Sequence, residues 1–257
     1  MSRFSENTVI IILAAGKGTR MKSEKAKVLH EINGKPMINF VVDAAKDIVG
    51  DNIVVVVGHQ KEEVKECVLG NARVGFAVQN EQLGTGHAVI CAMPEVPDDI
   101  DSVVILCGDV PLISSETLSE FLSSHKQAKA DLTVLAVKVN NPTGYGRLVV
   151  NDKNEVLKIV EEADADADEK EINLINSGIY CVGKDFLSKS LAGINSNNSQ
   201  SELYLTDIVG IGYNDNKIIR TYISENSSEV IGVNTIQDLN EAKRLITAQK
   251  MNCLDKK

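Results

Sequence analysis
The 257-residue sequence is poor in the features that mark specialised protein classes. Its five cysteines, Cys67, Cys91, Cys107, Cys181 and Cys253, are odd in number and widely scattered, so neither a disulfide framework nor a zinc pair can be drawn through them. Those lying in apolar runs are expected to be buried free thiols. No apolar run approaches the roughly 20 residues of a membrane span. Residues 1–7 are polar and the apolar run after them is too short for a secretory core, so a cytoplasmic protein without membrane contact is expected. Positive charge is in deficit, with 27 Lys and Arg against 36 Asp and Glu, and the net charge of −9 argues against a general binder of nucleic acid or anionic lipid. Histidines are few; His30, His59 and His125 are scattered and form no cluster. No hexapeptide or other internal repeat is present.

What the chain does have is 43% apolar content, enough to bury the core of one large α/β domain. Apolar runs at 9–13, 53–57, 74–78, 103–107 and 132–137 read as strands, and segments 37–49, 61–69, 87–93 and 116–126 between them carry helical periodicity. Such alternation predicts a Rossmann-like, mostly parallel mixed sheet with helices on both faces, its ligands gathered at the carboxyl ends of the strands. Beyond about residue 140 the texture changes to short strands and turns, including a hairpin turn expected at 151–154, which predicts a smaller β-rich subdomain. A final helix is expected from Thr235, where Thr235 and Asp238 have capping-box spacing. The resulting division is 1–234 for the main domain, with halves at about 1–112 and 113–234, and 235–257 for a C-terminal helical arm.

The most informative segment follows the first strand. Leu13, Ala14, Ala15, Gly16, Lys17, Gly18, Thr19, Arg20 and Met21 form a glycine-punctuated basic loop, and Lys27 comes shortly after. Glycines spaced by one residue let backbone N–H groups converge on an anion, and Lys17, Arg20 and Lys27 add charge. A dinucleotide-binding fingerprint would place a third glycine at the mouth of a helix. Here that position is Met21, and residues up to 27 carry no apolar period, so an extended loop is expected. Between Lys17 and Lys35 six basic residues face only Glu24 and Glu31, concentrating positive charge in an otherwise acidic chain.

This loop, together with Gln79-Asn-Glu-Gln-Leu-Gly-Thr-Gly-His87, Cys107-Gly-Asp-Val-Pro111, Asn141-Pro-Thr-Gly-Tyr-Gly-Arg147, Asn176-Ser-Gly-Ile179, Leu205-Thr-Asp207 and Gly232-Val-Asn234, resembles the sugar-phosphate nucleotidyltransferases in order and spacing. Within that family the blocks are similar to the bacterial N-acetylglucosamine-1-phosphate uridylyltransferases, and the likeness covers almost the whole chain. It implies transfer of a uridylyl group from UTP to N-acetylglucosamine-1-phosphate with Mg2+. Those enzymes are usually fused to a left-handed β-helix with acetyltransferase activity, for which this sequence has no repeat. Ala26 stands where the family usually has proline, and Cys107 where it often has tyrosine. Nothing in the sequence indicates an oligomeric state.

Residues suited to each part of that chemistry can be named. Gly16, Gly18, Arg20 and Lys27 suit a triphosphate cradle, whose work is to stabilise charge on phosphate oxygens. The resemblance adds Leu13, Ala14 and Ala15 to the nucleotide contacts, and gives Gln79, Gly84 and Thr85 to the base. Asp109, at a strand end, and Asn234 offer oxygens that suit magnesium, and the resemblance makes them its ligands. Their ordinary alternatives are a turn aspartate and a helix N-cap. Gly146, Glu161, Asn176, Tyr204 and Thr206 are implied as sugar-phosphate contacts, although Glu161 also opens an acidic stretch, 161–171, with the look of a solvated loop. His87 invites a general-base reading, but a phosphate nucleophile is already anionic near neutral pH, which favours a structural histidine. Two other readings stay open: a nucleotidyltransferase for a different sugar phosphate, and a non-catalytic nucleotide-sugar-binding module.

Overall fold
The computed structural model describes residues 7–152 and 155–254; the hairpin turn expected at 151–154 and the chain end at 255–257 thus fall partly or wholly outside the described residues. The chain begins with strand β1 (Thr8–Ala14), then a loop containing two 3-10 turns, Thr19–Met21 and Lys27–Leu29. A two-stranded ribbon, β2 (Glu31–Ile32) and β3 (Lys35–Pro36), turns through Asn33 and Gly34, both at positive φ, as a tight hairpin requires. Helix α1 (Met37–Val49) ends at Gly50, and β4 (Ile53–Val57), α2 (Lys61–Leu69), β5 (Gly75–Val78), α3 (Thr85–Ala92) and β6 (Ser102–Cys107) follow. The second half contains α4 (Ser115–Ala128), β7 (Leu132–Lys138), β8 (Arg147–Val150), β9 (Val156–Val160), α5 (Ala167–Lys170) and β10 (Leu174–Gly183). It ends with α6 (Lys184–Leu191), α7 (Asp207–Asn214), β11 (Ile219–Ile223), α8 (Ser227–Val230) and α9 (Ile236–Leu254).

The main sheet has the order β11-β7-β10-β6-β1-β4-β5, with the β8–β9 ribbon attached to β10. Pairings β6-β1, β1-β4, β4-β5 and β7-β11 are parallel, whereas β10 runs antiparallel to both β6 and β7. The second half therefore joins the first in one sheet, and among the described residues only β8 and β9 stand off its main path.

Alternation along β1 explains the layers. Ile10, Ile12 and Ala14 face a core built with α1 and α4, while Val9 and Ile11 face a second core shared with α3, α6 and α7. With both faces covered, β1 reads as a continuous apolar run instead of an alternating one. A third cluster brings Leu239, Ala242 and Ile246 of α9 onto Met21, Ile32, Met37 and Val233. The helical arm is therefore docked against the loop after β1. Burying each such Leu or Ile contributes about 1.5–3 kcal/mol. A capping box is worth roughly 1 kcal/mol, so packing outweighs capping in holding α9, although Thr235 and Asp238 do exchange the expected cap bonds.

His125 of α4 is buried against β7, with its Nδ1 2.8 Å from Thr133 Oγ1. Burial, reinforced by the neighbouring Lys126, pushes its pKa down to about 4 from 6.5. The native state thus disfavours imidazolium, and the unfolded chain binds the extra proton between those values. Stability from the neutral ring is fully present above pH 6.5 and is lost as pH falls toward 4. His125→Gln is expected to show a smaller fall in urea-unfolding stability between pH 7 and 4.5 than the unmodified protein.

Candidate active site
β1 delivers its last residues to the carboxyl edge of the sheet, where residues 13–19 line a cavity of about 400 Å³. The loop is not fully extended: Gly18 lies in the left-handed region at φ 62, Thr19–Met21 makes one 3-10 turn and Lys22 returns through φ 50. Buried Met21 fixes this turn on the α9 cluster, so local turns occur without a following α-helix. A side chain at Gly18 would overlap Cβ of Lys27. The glycine therefore provides both backbone freedom and space for the lysine.

Lys27 starts the second 3-10 turn, anchored by buried Val28 and Leu29. Its position is set from outside the loop, because the Ala26 N–H donates to Gln60 Oε1 at 2.5 Å. The Lys27 ammonium donates to Asp109 Oδ2 and, at 3.0 Å, to Asn234 Oδ1. Arg20 Nη2 donates to the same Asn234 oxygen at 2.9 Å. Asp109 lies just beyond β6, and its carbonyl accepts the Val233 N–H at 2.8 Å, tying the segment before α9 to the strand end. Thr235 is the cap of α9; Asn234 precedes it and gives its N–H to Asp238, leaving its side-chain oxygen aimed at the two cations.

Gln79 follows β5 and is 3% exposed. Its Nε2 contacts the Gly84 carbonyl at 3.0 Å and His87 Nδ1 at 3.2 Å. His87 lies in the first turn of α3, which begins at Thr85, two residues earlier than the periodicity predicts, because Gly84 at φ 107 supplies the sharp entry. The histidine orients the Gln79 amide, in keeping with a structural role. Gly84 is also constrained by packing, since a Cβ there would lie 2.6 Å from the Leu203 carbonyl. Leu203 donates to Leu83 O, accepts from Gly86 N, and Leu205 N donates to Thr85 Oγ1, all within 2.8–3.1 Å. The stretch so held puts Glu202 on the first cavity and Leu205 and Thr206 on the one beside it.

A second cavity, about 200 Å³, adjoins the first. Leu13, Thr85, Cys107 and Asp109 line both, so the two form one cleft with Asp109 at the junction. Arg20, Gly146, Glu161, Asn176, Thr206 and Asn234 line the second. Glu161 accepts from Thr206 Oγ1 at 3.1 Å, and burial raises its pKa, with the Thr206 bond opposing part of that rise. The carboxylate is thus enclosed in the cleft and not part of a solvated loop. Asn176 sits where β10 slips register between Asn176 and Ile179; its Nδ2 reaches Tyr180 Oη at 2.6 Å and its Oδ1 accepts from Gly178 N. Tyr204 is not brought to the cavity. Its hydroxyl donates to Gln200 at 2.8 Å, while Leu205 and Thr206 are the residues of this stretch that line the second cavity. Gln82 and Tyr145 also line the cleft; residue type alone does not single them out, although both lie inside the motif blocks 79–87 and 141–147.

These features combine a basic loop, a strand-end carboxylate and a cleft with two compartments. The model of the MobA-like NTP transferase domain matches residues 10–173, more than half of the chain. The chain belongs to the MobA-like NTP transferase family. It is 46% identical over 226 residues to a bifunctional protein GlmU of Desulfotalea psychrophila, covering 88% of this chain and 66% of that protein. It is 45% identical to the GlmU of Geotalea uraniireducens over 93% of this chain and 52% of the relative. The chain thus spans about half to two-thirds of the length of these relatives. Among solved structures it is similar to a putative glucose-1-phosphate thymidylyltransferase from Bacillus anthracis in complex with a sucrose, with TM-score 0.72, 20% identity and coverage of 93% and 94% of the two chains. HddC from Yersinia pseudotuberculosis, complexed with GMP-PN, gives TM-score 0.67 at 20% identity, covering 93% of this chain and 99% of that one. At that identity the structural likeness speaks for the nucleotidyltransferase fold.

Because Gly18 and Lys27 compete for one volume, Gly18→Ala should displace the lysine. Its expected result is a loss of nucleoside triphosphate affinity of at least about tenfold by calorimetry, with the unfolding midpoint much less affected.

Proposed function
We propose that this chain transfers the uridylyl group of UTP to N-acetylglucosamine-1-phosphate, releasing pyrophosphate, by in-line displacement at the α-phosphorus without a covalent enzyme intermediate. The observation that carries the reading is the junction itself. Lys27, Arg20, Asp109 and Asn234 meet where a compartment with a glycine-rich basic loop opens into one lined by amide, hydroxyl and carboxylate groups. That is where a donor phosphate and an acceptor phosphate would be brought together. The strong sequence similarity to GlmU proteins supports the same assignment.

Positioning and charge account for catalysis in this scheme. Backbone groups of residues 14–18 and the Lys27 ammonium hold the triphosphate; Arg20, expected in that cradle, lines the second compartment instead and there reaches the acceptor phosphate. Gln79, buried and oriented by His87, presents amide hydrogen-bonding groups to the uracil edge, with Gly84 and Thr85 beside it. Glu161 and Thr206 accept and donate to sugar hydroxyls, while Asn176 and Gly146 shape the space for the acetamido group. The acceptor phosphate needs no general base. A cytoplasmic setting suits these substrates, and among the described residues no helix is long and apolar enough to cross a membrane.

The donor set also suits magnesium. Asp109 Oδ2 and Asn234 Oδ1 already converge on one positive charge, the Lys27 ammonium, and are oxygens of the hard kind that would hold magnesium. Magnesium held there would supply charge to phosphate oxygens in the transition state and to departing pyrophosphate. Lys27 would then exchange Asp109 and Asn234 for the triphosphate.

With magnesium present, pyrophosphate release is expected from UTP plus N-acetylglucosamine-1-phosphate in preference to other nucleoside triphosphates or to glucose-1-phosphate and glucosamine-1-phosphate. Asp109→Ala should remove it. Release from none of these pairs, with UTP still bound, would instead support a nucleotide-sugar-binding module. Lys27→Met should separate two roles of the lysine: pyrophosphate release falls by at least about 100-fold, while Mn2+ binding to the nucleotide-free protein, read by electron paramagnetic resonance, becomes tighter because the competing ammonium is gone.

A further inference from the structure
One buried charge has no part in the scheme above. Arg147, the first residue of β8, is 1% exposed and heads the fully buried side chains in size. Its backbone is fixed on both sides, paired with Ile175 of β10 and Val160 of β9. The guanidinium Nη1 donates to the Tyr145 carbonyl and lies 2.6 Å from Glu162 Oε2, while Nε has no partner among the described residues. The same Glu162 oxygen accepts the Gly144 N–H at 3.0 Å. The Gly144 N–H, followed by Arg147, holds the Glu162 carboxyl below its usual range.

Two consecutive acids therefore serve different surfaces. Glu161 lines the second compartment and meets Thr206, whereas Glu162 turns to Arg147 and Gly144. Between them they enclose the segment 144–146. Gly144 stands at φ 85, and a Cβ on it would be 4.0 Å from Arg20 Nη1; a Cβ on Gly146 would be 3.0 Å from Ile159 Cγ2 and 3.4 Å from Glu161 Oε2. All of residues 144–146 line the second compartment. The segment thus forms a wall whose place depends on one carboxylate and one guanidinium that do not themselves line the cavity. A buried guanidinium deprived of its carboxylate is strongly disfavoured, so loss of Glu162 forces the segment to move, and loss of Arg147 removes the donor that ties the Tyr145 carbonyl to Glu162.

We propose that Arg147 and Glu162 are positioning residues: an ionic latch that seats the 144–146 segment and the adjacent Glu161 against the acceptor sugar phosphate and so sets acceptor affinity. The inference rests on reading the second compartment as the acceptor side. The latch works through the wall and makes no contact with the triphosphate compartment, so its effect is selective for one substrate.

The test compares Glu162→Ala, Glu162→Gln, Arg147→Met and the double variant Arg147→Met/Glu162→Ala. Urea unfolding and circular dichroism establish that each is folded. Glu162→Ala and Arg147→Met are each expected to raise KM for the acceptor at least about tenfold, with KM for UTP and kcat changed less than about threefold. Glu162→Gln keeps an oxygen for Gly144 and Nη1 but not the counter-charge, and should fall between Glu162→Ala and the unmodified protein in acceptor affinity. The double variant should be no worse than the worse single one, the sign of a coupled pair. Hydrogen exchange over residues 141–147 without substrates should be faster in Glu162→Ala than in Glu162→Gln or the unmodified protein. A folded Glu162→Ala with unchanged acceptor KM, or with both KM values raised equally, overturns the latch, as does unchanged exchange in that segment. If the unmodified protein turns over no substrate pair, the functional reading fails separately, and the exchange experiment still decides whether the latch exists.

Discussion

A lysine ammonium shared between a carboxylate and an amide holds together three stretches of chain that are remote in sequence. Lys27 comes from the loop after β1, Asp109 from the end of β6, and Asn234 from the entry to α9. The Lys27 and Asp109 side chains are each about one-sixth exposed, so desolvation offsets much of their mutual attraction. The pair matters more as a fixed point than as a source of stability. Around it the loop is secured by Met21 on the α9 cluster, by the Asp109 carbonyl on Val233, and by Gln60 on the Ala26 N–H. If any of these anchors failed, the cation would lose its place at the junction of the two compartments.

The cleft is assembled by contacts between backbones as much as by side chains. Leu203 zipped to Leu83 and Gly86 joins the loop before α7 to the loop before α3, so the base side and the sugar side share one piece of rigid framework. Thr85 belongs to both compartments and accepts the Leu205 N–H, making a single residue a hinge point of the shared wall. Glycines at 18 and 84 do two tasks each: they take a backbone conformation other residues resist, and they leave room for Lys27 and Leu203.

Much of this architecture could be read from the residues, for a physical reason. Strands buried on both faces make uninterrupted apolar runs, and 53–57 and 132–137 stand out on that basis; the helices at 37–49 and 61–69 have bounds marked by their own periodicity and by Gly50 and Gly70. The antiparallel placement of β10 between β6 and β7 was not legible, since nothing local to 174–183 states which distant strands will flank it. The family resemblance implies Tyr204 as a cleft residue, but it stands just outside the Leu205-Thr-Asp207 block and its hydroxyl goes to Gln200 of its own loop. Glu161 and Glu162 are indistinguishable as letters in an acidic run, and only the fold sends one to Thr206 and the other to Arg147. Ala26, where related enzymes usually carry proline, has φ −51, within proline's own range, and its N–H is occupied by Gln60. A hydrogen bond here does the restraining that a ring would do elsewhere.

The order in which strands fill the sheet bears on how the chain emerges from the ribosome. When residues up to about 140 have been made, β1, β4, β5 and β6 can pair, but β6 presents an open edge and β7 has neither of its neighbours. Both vacancies close only with β10, which covers β6 and β7 in one step, and β7 gains its second partner when β11 arrives some forty residues later. Nascent chains halted between β7 and β10 therefore carry an exposed strand edge of the kind that recruits other chains. The central position of a late strand makes assembly of the acceptor compartment coincide with removal of that hazard.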